Sequence, residues 1–179
     1  LTDGGKEFTY LVQYDMNSGE RKVLYETTWD VMYTFLSEKE TYRVIAINED
    51  GKNTIIMQDA ASGKTIDFPA IPDGDILGVE ISDSEKLMRL SVGTSKAPNN
   101  IYLYNLETKE LKKLTESLNK EINADDLVSA EVVRYKSFDG LDIPAIYYKP
   151  HQATPEQKVP ALVWVHGGPG GQSRTGYFA

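Results

Sequence analysis

The residues best suited to chemistry lie near the end of the chain, in Val159-Pro160-Ala161-Leu162-Val163-Trp164-Val165-His166-Gly167-Gly168-Pro169-Gly170-Gly171-Gln172. Ala161 to Val165 is a short, unbroken apolar run, the pattern of a strand covered on both faces. It leads into His166-Gly167-Gly168-Pro169-Gly170-Gly171, where four of six residues are glycine. Glycine lets the backbone turn sharply and lets another molecule approach the peptide N–H groups closely. Bare, donor-rich backbone at the end of a buried strand is suited to holding the oxyanion that develops during acyl transfer. A plain Gly-Pro turn needs neither an apolar strand feeding it nor a histidine at its mouth.

No catalytic triad can be assembled around this loop from the residues given. A nucleophile elbow needs G-x-S-x-G, because only glycine tolerates the crowding around the strained serine turn. Gly171-Gln172-Ser173-Arg174-Thr175 comes nearest, but Thr175 stands where the closing glycine belongs. It also follows the glycine loop directly instead of joining a strand to its own helix, so Ser173 reads as a decoy. The two histidines are His151 and His166, and neither has an elbow serine before it. His151, between Pro150 and Gln152, reads as a solvated loop residue. The chain has no cysteine, which removes thiol catalysis, disulfides and cysteine metal sites. Asn48-Glu49-Asp50-Gly51-Lys52-Asn53 lacks the ligand spacing and terminal glutamate of a calcium loop and reads as a hairpin turn. Neither a metal nor another cofactor is expected.

Composition narrows the partners. Of 179 residues, 40% are hydrophobic and 26% charged, a balance that folds and does not belong to a disordered chain. Lys and Arg number 19 against 27 Asp and Glu, a net charge of −8 that repels phosphate backbones. Nucleic acid is therefore not an expected partner. No apolar run approaches the roughly 18 residues of a membrane helix, so no membrane association is expected either. Compartment stays open between the cytoplasm and a secreted or periplasmic location, and a homo-oligomer is neither required nor excluded.

The elements that must position the loop announce themselves as a repeat. Tyr14-Asp15-Met16-Asn17-Ser18-Gly19-Glu20, Gln58-Asp59-Ala60-Ala61-Ser62-Gly63-Lys64 and Tyr104-Asn105-Leu106-Glu107-Thr108-Lys109-Glu110 each follow a β-rich run. Asp15, Asp59 and Asn105 are spaced 44 and 46 residues apart. A period near 45 residues with four short strands per period is the mark of β-propeller blades. One blade is expected as Val31–Leu36, Tyr42–Asn48, Thr54–Asp59 and Lys64–Phe68. The next is expected as Leu77–Ser82, Lys86–Val92, Asn100–Asn105 and Leu111–Leu114. Leu1 to Glu26 supplies the outer half of an earlier blade, with Asp3-Gly4-Gly5-Lys6 as its hairpin turn. Trp29-Asp30 is not echoed one period later, where Asp75-Ile76 stands. The fold class expected is mainly β: a partial propeller of about two and a half four-stranded blades, then the first strands of an α/β-hydrolase domain. Residues 1–115 form the blades, 116–130 a linker with one helical turn around Leu118 to Ile122, and 131–179 the start of the second domain. In that domain Glu131–Ser137 and Leu141–Lys149 pair across a turn at Asp139-Gly140, ahead of the strand Ala161–Val165.

At this point the residues resemble a known family. Blades followed by V-V-R-Y-K-S-F-D-G-L-D-I-P-A-I-Y-Y-K-P and then V-W-V-H-G-G-P-G-G are similar to the prolyl oligopeptidase family of serine peptidases, in its acylaminoacyl-peptidase and dipeptidyl-peptidase-like branch. The resemblance implies a propeller set over an α/β-hydrolase active site, filtering peptide substrates by size. It implies an oxyanion loop at His166, Gly167, Gly168 and Pro169, with the Gly168 N–H as donor; other branches use a tyrosine hydroxyl where His166 stands. Two rivals stay open: another α/β-hydrolase, such as a proline iminopeptidase or esterase, and a non-catalytic propeller interaction module. The peptidase reading expects this polypeptide alone to be inactive. It expects further blades before Leu1 and, past Ala179, a G-x-S-x-G serine, then an acid, then a histidine; the complete reading frame checks this.

Overall fold

The first hairpin pairs β1 (Leu11–Tyr14) with β2 (Arg21–Tyr25) in the computed structural model, which describes residues 1–71, 74–168 and 170–177. Next comes a four-stranded antiparallel sheet of β3 (Asp30–Leu36), β4 (Tyr42–Glu49), β5 (Lys52–Asp59) and β6 (Thr65–Ile66), in chain order. A second four-stranded sheet repeats that order with β7 (Asp75–Ile81), β8 (Leu87–Gly93), β9 (Asn100–Asn105) and β10 (Leu111–Lys113). Every strand expected for these two blades forms, within two residues of its expected limits. The chain is thus a partial propeller: half a blade followed by two whole ones.

Burial explains the stacking. Along β4, Val44, Ile45, Ala46 and Ile47 are all buried, so this strand is covered on both faces. Side chains alternate along a strand. Val44 and Ala46 join Ile55, Met57, Val79, Met88, Leu90, Val92, Tyr104 and Leu106 in the core shared with the second sheet. Ile45 turns the other way, into the smaller core with Leu11 and Val31. The middle blade is therefore apolar on both sides, and its neighbours supply the cover.

The turns reproduce the period in atomic detail. The carboxylate of Asp15 accepts from the N–H of Asn17 and Ser18, that of Asp59 from Ser62 N–H, and the amide oxygen of Asn105 from Glu107 and Thr108 N–H. Each turn closes on a residue with positive φ: Gly19 at 74°, Gly63 at 71° and Lys109 at 63°. Glycine takes that conformation freely, whereas Lys109 carries a steric cost of about 1–2 kcal/mol. The last blade keeps the turn after losing its glycine, because Asn105 offers the same two-fold acceptor.

Beyond the blades, a single 3-10 turn covers Ala124–Asp126, capped by the Asn123 side chain accepting from Asp125 N–H. Within the stretch Leu118 to Ile122, where a helical turn is expected, a single turn closes through Ile122 N–H to the Asn119 carbonyl, with Asn119 Oδ1 accepting from Glu121 N–H at 3.0 Å. Asn119 and Asn123 each cap the turn that follows them in the same way. β11 (Ala130–Lys136) and β12 (Asp142–Tyr148) then pair in full antiparallel register across the Asp139-Gly140 turn, as expected.

The expected strand Ala161–Val165 does not form. Leu162, Val163, Trp164 and Val165 are 89, 84, 82 and 82% exposed, and the segment has no ladder partner among the described residues. An apolar strand needs paired edges and covered faces, and the described residues provide neither. Of the strands expected after the blades, the hairpin is present and the apolar one is not.

A polar seam joins the two whole blades at their first turns. Glu85 accepts from Lys39 N–H at 2.8 Å and Thr41 N–H at 3.5 Å, while the Lys39 ammonium donates to the Ser84 carbonyl at 3.2 Å. Burial in the seam opposes ionisation of Glu85, but the hydroxyls of Ser37 and Thr41 and the N–H groups of Lys39 and Thr41 outweigh it and lower its pKa to about 2. The folded value lies below the ordinary glutamate value, so the seam stabilises the fold above roughly pH 4.5 and releases that stability as pH falls towards 2. Glu85→Gln should lower the melting temperature at pH 7, with the gap to the parent protein closing in melts recorded from pH 5 down to pH 2. A gap independent of pH would show that the carboxylate charge contributes nothing to the seam.

Candidate functional site

His166, Gly167 and Gly168 lie on an exposed loop, and Pro169 lies outside the described residues. The loop folds back on itself: Gly171 N–H donates to the Gly168 carbonyl at 3.3 Å, and His166 Nδ1 lies 3.4 Å from the Gly167 carbonyl. Gly168 has φ of +68°, a conformation that side chains resist, and its surroundings are open. Among the described residues its N–H has no hydrogen-bond partner. Gly171 is packed differently, since a Cβ there would stand 2.5 Å from the Gly167 carbonyl oxygen. One glycine is required by its dihedral angle, the other by its neighbour.

The segment after the loop is anchored to the propeller. Gln172 Oε1 accepts from Asn48 Nδ2 at 2.8 Å, and Arg174 Nη2 donates to Asn53 Oδ1 at 2.7 Å. The same guanidinium nitrogen lies 3.8 Å from Asp75 Oδ2. Asp75 is 4% exposed and accepts from Asn53 N–H at 2.6 Å, while Asn53 Nδ2 donates to the Ile76 carbonyl at 2.9 Å. Burial pushes the Asp75 carboxyl above its ordinary value, offset in part by the Asn53 N–H and by the charges of Arg174 and Lys52. Gly51, at φ of +75°, lets the β4–β5 turn press against the chain, with the Ser173 carbonyl 3.2 Å from where a Cβ would stand. Asp50 of that turn pairs with Arg134 of β11, and Tyr148 of β12 donates to the Gly176 carbonyl at 3.4 Å. Ala130 N–H donates to Ser95 Oγ at 2.9 Å.

These contacts gather residues that show no link to one another in the sequence. Asn48 to Asn53 reads as a plain turn, Asp75 as a repeat position that fails to match, and Arg174 as part of a failed serine motif. No local spacing could have joined them, because Asn53 and Arg174 stand 121 residues apart. Ser173 contributes its backbone carbonyl to the anchor, and His151 stays exposed in its loop. Neither approaches a catalytic arrangement. Among the described residues no group of three or more acidic or histidine side chains is placed to hold a metal ion.

No protein-family model matches the chain, and no curated protein matches it. Solved structures do match. The chain superposes on puromycin hydrolase with a TM-score of 0.76 at 14% identity, over 95% of its own length and 27% of that structure's. With the dipeptidyl peptidase 4 of Porphyromonas gingivalis the TM-score is 0.70 at 16% identity, over 97% of this chain and 25% of that one. Prolyl oligopeptidase B from Galerina marginata, bound to a 35mer hydrolysis and macrocyclization substrate, gives 0.63 at 20% identity over 76% of this chain and 20% of that one. The chain thus has the fold of a segment of these peptidase and hydrolase structures and spans between 20% and 27% of their length.

The two kinds of glycine make separable demands. Gly167→Ala meets open space. Gly171→Ala forces its new methyl against a backbone oxygen and should cost the turn about 1–3 kcal/mol. In amide NMR spectra Gly171→Ala should shift the signals of residues 167–171 together, while Gly167→Ala should disturb only its immediate neighbours. Equal, local shifts in both variants would mean the turn is not closed as described.

Proposed function

We propose that the chain is part of a serine peptidase of the prolyl oligopeptidase family that hydrolyses short peptides. The observation that carries this reading is the continuity of the likeness. It runs through the blades, the hairpin and the segment beyond, over 95–97% of the chain, in two hydrolytic enzymes. The His166-Gly167-Gly168-Pro169-Gly170-Gly171 stretch supports it from the sequence side. In this reading residues 1–115 are closing propeller blades, 116–130 the linker and 131–179 the opening of the hydrolase domain. Ala161–Val165 then becomes a strand once the rest of the hydrolase sheet flanks it.

The reaction places one demand on this chain. A serine supplied by the rest of the hydrolase domain gives its hydroxyl proton to the histidine expected there and adds to the peptide carbonyl carbon, and the π electron pair moves onto the carbonyl oxygen. The Gly168 N–H, unpartnered among the described residues, donates to that oxygen, so negative charge develops beside a donor already in place. Collapse of the tetrahedral intermediate expels the amine, which takes the proton from that histidine, and leaves an acyl-enzyme, which water then hydrolyses. A propeller over the site would admit short peptides and exclude folded proteins.

Treating the full-length protein with a fluorophosphonate probe tests the assignment. The expected result is labelling of one elbow serine outside residues 1–179, with no label on this polypeptide alone. A well-folded full-length protein that takes no label is a scaffold and not a peptidase. Gly168→Pro removes the donor and also forbids the +68° φ of the loop, so it should lower kcat on a short peptide by at least about 10²–10³-fold.

A further inference from the structure

The loop that carries the donor is held unequally at its two ends. Before it, the exposed run Ala161–Val165 makes no hydrogen bond to other described residues. After it, three contacts fall within three residues: Gln172 on Asn48, the Ser173 carbonyl against Gly51, and Arg174 on Asn53 and Asp75. The acceptors are themselves fixed. Asn53 is clamped through its backbone N–H to Asp75 and through its side-chain amide to the Ile76 carbonyl, so its oxygen is pre-aimed at Arg174. Asp75 is a buried carboxylate, and the guanidinium beside it supplies compensating charge that no other side chain reaches within ion-pair distance among the described residues.

We propose that Arg174 is a positioning residue: its bridge to Asn53 and Asp75, with Gln172 on Asn48, lets the propeller set where the Gly168 N–H stands. The inference rests on the peptidase reading for its catalytic consequence, but the tie itself can be observed without catalysis. A donor must sit within a fraction of an ångström of the oxyanion, and small displacements are expensive in rate. A guanidinium held by a hydrogen bond to Asn53 and by the charge of Asp75 has the directionality for that task, which an ammonium lacks. The blades would then do more than cover the site; they would hold one wall of it in register.

The test uses the full-length protein with Arg174→Gln, Arg174→Lys, Asp75→Asn and Gln172→Ala, and Arg89→Gln as a control on a remote surface pair. Gln172 is exposed, so its variant keeps the test alive if a change at buried Asp75 unfolds the protein. Hydrogen–deuterium exchange should show faster exchange over residues 166–172 in Arg174→Gln and Gln172→Ala, and no change in Arg89→Gln. Fluorophosphonate labelling should slow about tenfold or more in Arg174→Gln, with kcat for a short peptide falling in parallel and KM little changed. Arg174→Lys should lie between, and Arg174→Gln combined with Asp75→Asn should fall short of the sum of the single effects. Unchanged exchange over 166–172 in both Arg174→Gln and Gln172→Ala overturns the tie. Faster exchange with an unchanged labelling rate overturns its catalytic consequence and leaves the peptidase reading standing. If the parent protein takes no label, the peptidase reading falls, and the exchange arm still decides whether the propeller holds the loop.

Discussion

The structure depends on a strand with no wet face. β4 sends Val44 and Ala46 into one core and Ile45 into another, so the middle blade is stable only while sheets lie on both sides of it. Burial of this kind carries most of the folding free energy of a small β domain. It also imposes geometry. Two sheets that share a core must align their turns, and the polar seam of Lys39, Thr41 and Glu85 sits where the aligned turns of the two whole blades meet.

The same packing explains why a polar anchor can exist elsewhere on those blades. The β4–β5 turn and the start of β7 come together because β5 packs across the shared core against β7. That approach brings Asn53 onto Asp75 and leaves the Asn53 amide oxygen directed at Arg174. A carboxylate as deeply buried as Asp75 is tolerable only with compensation around it, and it receives a hydrogen bond from the Asn53 N–H and opposite charge from Arg174, in the segment after the glycine loop. The apolar core therefore indirectly sets the position of a loop that contributes nothing to it.

Two apolar runs show how far a sequence can be read. Val44 to Ile47 and Ala161 to Val165 look alike as strings, and both suggest strands covered on two faces. The first has partners on each edge and each face; the second is exposed from Leu162 to Val165. Composition states that a segment requires cover, not that cover is present. The turns were easier, because Asp15, Asp59 and Asn105 act on N–H groups two or three residues away. Even the missing glycine at Lys109 left that local device intact.

By itself the sequence determined the blade period, the strands of both whole blades, the β11–β12 hairpin and the glycine-rich character of the loop. All of these follow from interactions within a few residues or from alternation along one strand. Tertiary structure alone decided which apolar run is buried, that the Gly168 N–H is free of partners among the described residues, and that Asn48, Asn53 and Asp75 meet Gln172 and Arg174. Those outcomes depend on which surfaces the stacked sheets bring together. A hydrogen bond between side chains 121 residues apart leaves no trace in the spacing of either neighbourhood.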